Sequence, residues 1–141
     1  MNKMLKITVL LLIISFGSFA QQKDDIIGKY LLPNNLEIEV FKDNNGFSAK
    51  IIALNNYKNG QTKDSKNSNK SKRNDLLLGK IVLTNLVYNP AKNQWKNGKL
   101  YVPDKGITIN LKVTKIKGNE VTVVGSKYIF WKTITWKKIK N

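Results

Sequence analysis

Cysteine and histidine are both missing from the 141 residues. Without them there can be no Cys–His or Ser–His nucleophile–base pair, no zinc site of the usual ligand sets and no disulfide framework. A single hydrophobic core must therefore hold the fold. Glycines stand singly, as at Gly28, Gly46, Gly60 and Gly79, so no phosphate-cradling Walker loop exists. Carboxylates are scarce too, nine Asp and Glu against 25 Lys and Arg. Glu37 and Glu39 share one face of a strand, roughly 7 Å apart, a spacing that does not forbid glycosidase-type chemistry. Leu36, Ile38 and Val40 already define the buried face, however, so the pair points at water. Asp43-Asn44-Asn45-Gly46 has the flavour of a calcium loop but lacks the glutamate of the twelfth position; it reads as a turn. The expectation is a protein that is not an enzyme and holds no metal or cofactor.

Positive charge is what the chain has in excess. The formal charge is +16, with Arg73 the one cation that is not lysine. A drift of composition toward lysine and asparagine accounts for part of this, but not for the shortage of Asp and Glu. Charge of this sign favours anionic surfaces without specifying a site. The expected partners are a small apolar ligand and an anionic envelope polymer or lipid surface, with no specific nucleic acid and a monomeric state.

The N-terminus carries Lys3 and Lys6, then the apolar run Ile7–Ile14, then Ser18-Phe19-Ala20. That order is a secretory signal peptide cut between Ala20 and Gln21. The apolar run, about ten residues, is shorter than the roughly twenty that span a bilayer. Export to the periplasm or the exterior is expected. No cysteine follows the cut, which excludes a lipid anchor on that residue. Residues 21–141 then form one domain.

Along that domain, short strands alternate with turn signals. Gly28–Leu32, Leu36–Phe41 and Phe47–Leu54 are strand candidates, separated by Pro33-Asn34-Asn35 and Asp43–Gly46. Lys80–Tyr88, Trp95–Val102, Ile107–Thr114, Val121–Val124 and Thr133–Lys138 follow. Ile107, Ile109, Leu111 and Val113 alternate with Thr108, Asn110, Lys112 and Thr114, the cleanest period of two in the chain. Between 55 and 75, Asn, Lys, Ser and Gln dominate without periodicity. That segment is expected to be a mobile loop, for want of apolar anchors. About eight strands and no amphipathic helix imply an all-β antiparallel barrel or sandwich.

The ordered spacing resembles a family of small exported bacterial proteins catalogued as domain of unknown function 2147. Asp25-Ile26-x-Gly28-Lys29-Tyr30, Glu37-Ile38-Glu39 and Lys50-Ile51 resemble its opening. Asp64-x-Lys66-Asn67, Arg73-Asn74 and Leu77-Leu78-Gly79 resemble its centre. Trp95-x-x-Gly98-x-Leu100-Tyr101-x-Pro103, Gly125 and Trp136-Lys137 resemble the remainder. Typical members carry Trp where this chain has Tyr30 and Arg-Pro at Asp75-Leu76. They carry an acidic residue at Val102, Lys and Tyr at Ile107 and Ile109, and Arg at Val124, so several of their polar positions are apolar here. The resemblance implies a lipocalin-like (calycin-type) small barrel and no established activity. Gly28-Lys29-Tyr30 is also similar to the first strand of lipocalin-type barrels, where a cation from the last strand crosses the aromatic; Lys137 and Lys138 are the candidates.

Aromatics supply the candidate ligand site: Tyr30, Trp95, Tyr101, Trp131 and Trp136. Trp95 and Trp136 are equally core candidates, and Tyr30 could be an ordinary core residue. Tyr128-Ile129-Phe130-Trp131 lies between Lys127 and Lys132. Such a run inserts at a membrane surface or stacks on sugars or bases, but more commonly forms core or plugs the end of a barrel.

Overall fold

The period-two segments become strands in the expected order. The computed structural model describes residues 21–44 and 46–140; the signal peptide read over 1–20 lies outside them. The strands are β1 (Gly28–Leu31), β2 (Glu37–Asp43), β3 (Gly46–Ala53), β4 (Ile81–Asn89), β5 (Gln94–Val102), β6 (Ile107–Lys117), β7 (Glu120–Lys127) and β8 (Phe130–Ile139). Each pairs antiparallel with the next, and β8 returns to β1, which closes the barrel. The closing seam is short: Lys29 faces Ile139, Tyr30 faces Lys138 and Leu31 faces Lys137. Closure leaves no free sheet edge among the described strands.

Alternation decides which side chains enter the barrel. Ile38 and Val40 of β2, Phe47, Ala49 and Ile51 of β3, and Leu111 and Val113 of β6 are all buried. Glu39 lies outside and meets Lys50 of the neighbouring strand at 3.7 Å, as the buried face of β2 required. One half of the barrel is filled solid. There the 3-10 turn Lys23–Ile26 caps the end, and its carbonyls take the polar tips of two buried aromatics. Tyr30 Oη donates to the Ile26 carbonyl at 2.7 Å and Trp95 Nε1 to that of Lys23 at 3.0 Å.

Asparagine shapes the turns and the bulges. Among the described residues, eight of the ten non-glycine positions with positive φ are asparagine. The short amide side chain tolerates this left-handed conformation better than other L-residues do. Asn85 in β4 and Asn97 in β5 lie where the pairing registers shift. Bulges of this kind raise the local twist and help a sheet curl into a barrel. The asparagine content is thus used by the fold and is more than compositional drift.

The long segment between β3 and β4 corrects the reading of 55–75 as a loop without anchors. It contains the 3-10 turns Tyr57–Asn59 and Lys70–Lys72 and a bridge from Lys63 to Leu76. Tyr57, Asp64 and Asn67 are buried, and so is Leu77 just beyond. Asn67 Oδ1 accepts from the amide of Asn69, and Asn69 Oδ1 from that of Ser71. Local anchors of this kind are hydrogen bonds between Asn side chains and nearby backbone amides, which an apolar period does not reveal.

Candidate functional site

The other half of the barrel is hollow. A cavity of about 560 Å³ opens at the end formed by the β1–β2, β5–β6 and β7–β8 connections. Cavities of roughly 300–1,000 Å³ hold drug-sized ligands. Ile38, Ile51, Val82, Leu100, Ile109 and Ile134 form its wall. Trp136 forms the floor: it lines the cavity and packs on Tyr30 beneath, with ring centroids 6.1 Å apart. Gly125 also lines the cavity, and a β-carbon there would come 2.8 Å from Ile109 Cδ1. The Ile109 side chain takes the room that a side chain at 125 would need.

The charged groups at the mouth are mainly cationic. Lys105, Lys127 and Lys132 line it. The carboxylate at the mouth, Asp104, is already engaged. Tyr57 Oη and Asn34 Nδ2 donate to its Oδ1 at 2.7 and 3.0 Å, and Lys58 Nζ is 3.7 Å from Oδ2. The lining can hold an apolar body and meet an anionic head at the rim.

Tyr101, which lines the cavity, is held by a buried cluster from the β3–β4 segment. Its hydroxyl donates to Asp64 Oδ1 at 2.6 Å. Asp64 Oδ2 takes Asn67 Nδ2 at 2.8 Å and Lys80 Nζ at 3.3 Å, and Lys80 also lies 5.5 Å from the centre of the Tyr101 ring. Asp64 has no exposed surface, and this full set of donors is what allows its burial. Burial, together with the hydrogen bonds to Asp64 and Asp104, pushes the Tyr101 and Tyr57 phenols well above their usual range.

The five aromatic candidates divide. Tyr101, Trp131 and Trp136 line the cavity. Tyr30 and Trp95 do not; they fill the closed half and are fully buried. Burial, and after it the Asp25 charge, raises the Tyr30 hydroxyl to about 12. The cation expected across Tyr30 is also corrected. Among the described residues the close cation–aromatic pairs are Lys50 with Phe41, Lys80 with Tyr101 and Lys127 with Tyr128. Trp136 packs against the Tyr30 ring, so Lys138 runs beside Gly28 instead, its Cε 3.1 Å from where a β-carbon would stand. Lys137, one residue out of phase, is exposed.

The run 128–131 is neither core nor plug. Tyr128, Ile129, Phe130 and Trp131 are 89, 79, 73 and 76% exposed at the tip of the β7–β8 hairpin. Sequence reasoning missed Asp64, Asn67 and Lys80 as the residues that orient Tyr101, although Asp64 and Asn67 belong to the spacing that resembles the family's centre. It also left the aliphatic wall unnamed, which the inward positions of the strands could have supplied.

A family model described as an uncharacterized protein conserved in bacteria (DUF2147) matches residues 28–138. No curated protein matches the chain. Among solved structures the fold is similar to protein HP1028 from the human pathogen Helicobacter pylori, described as belonging to the lipocalin family. The TM-score is 0.72 at 24% identity, over 83% of this chain and 84% of that one.

Proposed function

The chain belongs to the DUF2147 family of bacterial proteins, and from that premise we propose that it is an exported, non-catalytic module that binds one small, largely apolar ligand. The carrying observation is the hollow half of the barrel, walled by aliphatic side chains and open at one end. Small barrels are either filled by side chains or keep room for one ligand. Here one half does each.

The departures from typical members support the same reading. Val102, Ile107 and Ile109 stand where an acidic residue, Lys and Tyr are usual, and all three line the cavity. The site is therefore more apolar in this chain than its resemblance alone implies. Lys105, Lys127 and Lys132 at the mouth favour a ligand whose apolar body ends in an anionic group. Work outside the cytoplasm accords with the signal-like order of residues 1–20.

Anilinonaphthalene sulfonate, an apolar ring system with one sulfonate, is a suitable first probe. The folded protein should bind it with a rise in fluorescence. Ile134→Trp, which places an indole in the cavity, should weaken that binding about tenfold, a change of about 1.4 kcal/mol, while the urea midpoint stays close to wild type. Unchanged binding in the filled variant would show that the probe sits elsewhere and would remove the support for an interior site.

A further inference from the structure

The tip of the β7–β8 hairpin breaks the rule that the other two-residue hairpin loops obey. Lys127 pairs with Phe130, so Tyr128 and Ile129 alone make the loop. Two-residue loops normally take Gly, Asn or Asp, because positive φ is needed. Tyr128 adopts φ +55°, a strained conformation for a bulky side chain. The other two-residue loops follow the rule: Asn44-Asn45 joins Asp43 to Gly46, and Gly118-Asn119 joins Lys117 to Glu120. Here a strained backbone leaves four large apolar side chains exposed, with none of the described residues packed over them.

Charge says what covers them. Lys127 and Lys132 bracket the tip, and Lys105 stands across the same opening. Ion pairs among the described residues engage Lys42, Lys50, Lys58 and Lys80, and none engages these three. Apolar and aromatic side chains framed by lysines that have no carboxylate partner match the interface of an anionic bilayer, where rings sit at headgroup depth and lysines meet phosphate.

We propose that the β7–β8 hairpin docks the barrel, mouth downward, on an anionic lipid surface. Tyr128, Phe130 and Trp131 also line the cavity mouth, so the docked protein would open its cavity onto the acyl region. An apolar ligand would then pass between bilayer and barrel without crossing water, a consequence that rests on the binding function proposed above.

The three tryptophans supply the readout, since Trp95 and Trp136 are buried and Trp131 is exposed. Phosphatidylglycerol-containing vesicles should blue-shift the emission and shield it from acrylamide, and Trp131→Phe should abolish both effects. The protein should sediment with these vesicles, less so as salt rises through the physiological range, where the Debye length is about 8 Å. Ile129→Asn should weaken that sedimentation about tenfold, and a turn-compatible Tyr128→Gly/Ile129→Asn pair should lose it with no drop in thermal midpoint. Failure of the wild type to bind these vesicles would overturn the proposal. So would vesicle binding untouched by Ile129→Asn, or a dimer in sedimentation velocity that Ile129→Asn dissociates, which would assign the tip to a second copy. The two readings fail separately. Ile129 lies outside the cavity lining, so Ile129→Asn should still bind anilinonaphthalene sulfonate in solution, and Ile134→Trp should still bind vesicles.

Discussion

Asp64 is the residue that holds Tyr101 at the wall of the hollow half. It is a carboxylate without exposed surface, and it survives there because a phenol, an amide and an ammonium all point at it. Tyr101→Phe removes one of those donors and leaves the others in place. A hydrogen bond to a charged group contributes about 1.5–3 kcal/mol, so the variant should lose that much stability in a urea titration. Asp64→Ala should be worse, about 3–5 kcal/mol, because it strands the partially buried Lys80 amine. A Tyr101→Phe protein as stable as wild type would mean that water replaces the phenol. None of this was legible in the composition. One buried aspartate among nine acidic residues carries no mark of its burial, and only the Asp64-x-Lys66-Asn67 spacing set it apart.

At the scale of elements, the β3–β4 segment is tied to the β5–β6 turn by the bonds of Tyr57 and Lys58 to Asp104 and by a close approach of the two backbones. Gly106 has φ +65°, and a β-carbon on it would stand 1.8 Å from the Lys66 carbonyl oxygen. Gly106→Ala therefore combines an unfavourable conformation with a contact that must be broken. We expect a loss of about 1–3 kcal/mol, and limited proteolysis that begins between Gln61 and Asn74 while the barrel persists. Cleavage at the same rate as wild type would show that the turn and the segment already separate freely. The strands themselves were readable, because period-two alternation is a property of half-buried sheet and needs no partner to be seen. The segment was not, because Asn67 and Asn69 fold it through hydrogen bonds to nearby backbone. The hairpin tip was misjudged for a related reason. An aromatic run reads as core, and nothing in Tyr128–Trp131 itself says that a two-residue turn carries it outward.

For the whole molecule, three tyrosines tie stability to alkaline pH. Tyr30 lies in the filled half, and Tyr57 and Tyr101 lie near the mouth; burial raises all three phenols, Tyr30 to about 12. The unfolded chain ionises them near pH 10. Their stabilising contribution is therefore complete below about pH 10 and is lost as pH rises toward the folded values, at up to about 1.4 kcal/mol per pH unit for each tyrosine. Urea midpoints should fall above about pH 10, with phenolate absorbance rising together with unfolding. Phenolate formation in a still-folded barrel would show that solvent reaches these rings. The seam between β1 and β8 bears on folding kinetics. Three facing pairs join strands about a hundred residues apart, whereas every other junction joins neighbours in the chain. Loop closure over that distance must precede any return from so few pairs. We expect the seam to be the last junction to form and the first to open, each opening baring the edges of β1 and β8 together. Any aggregation of this barrel is therefore expected to start from a local opening at its shortest strand, ahead of core unfolding.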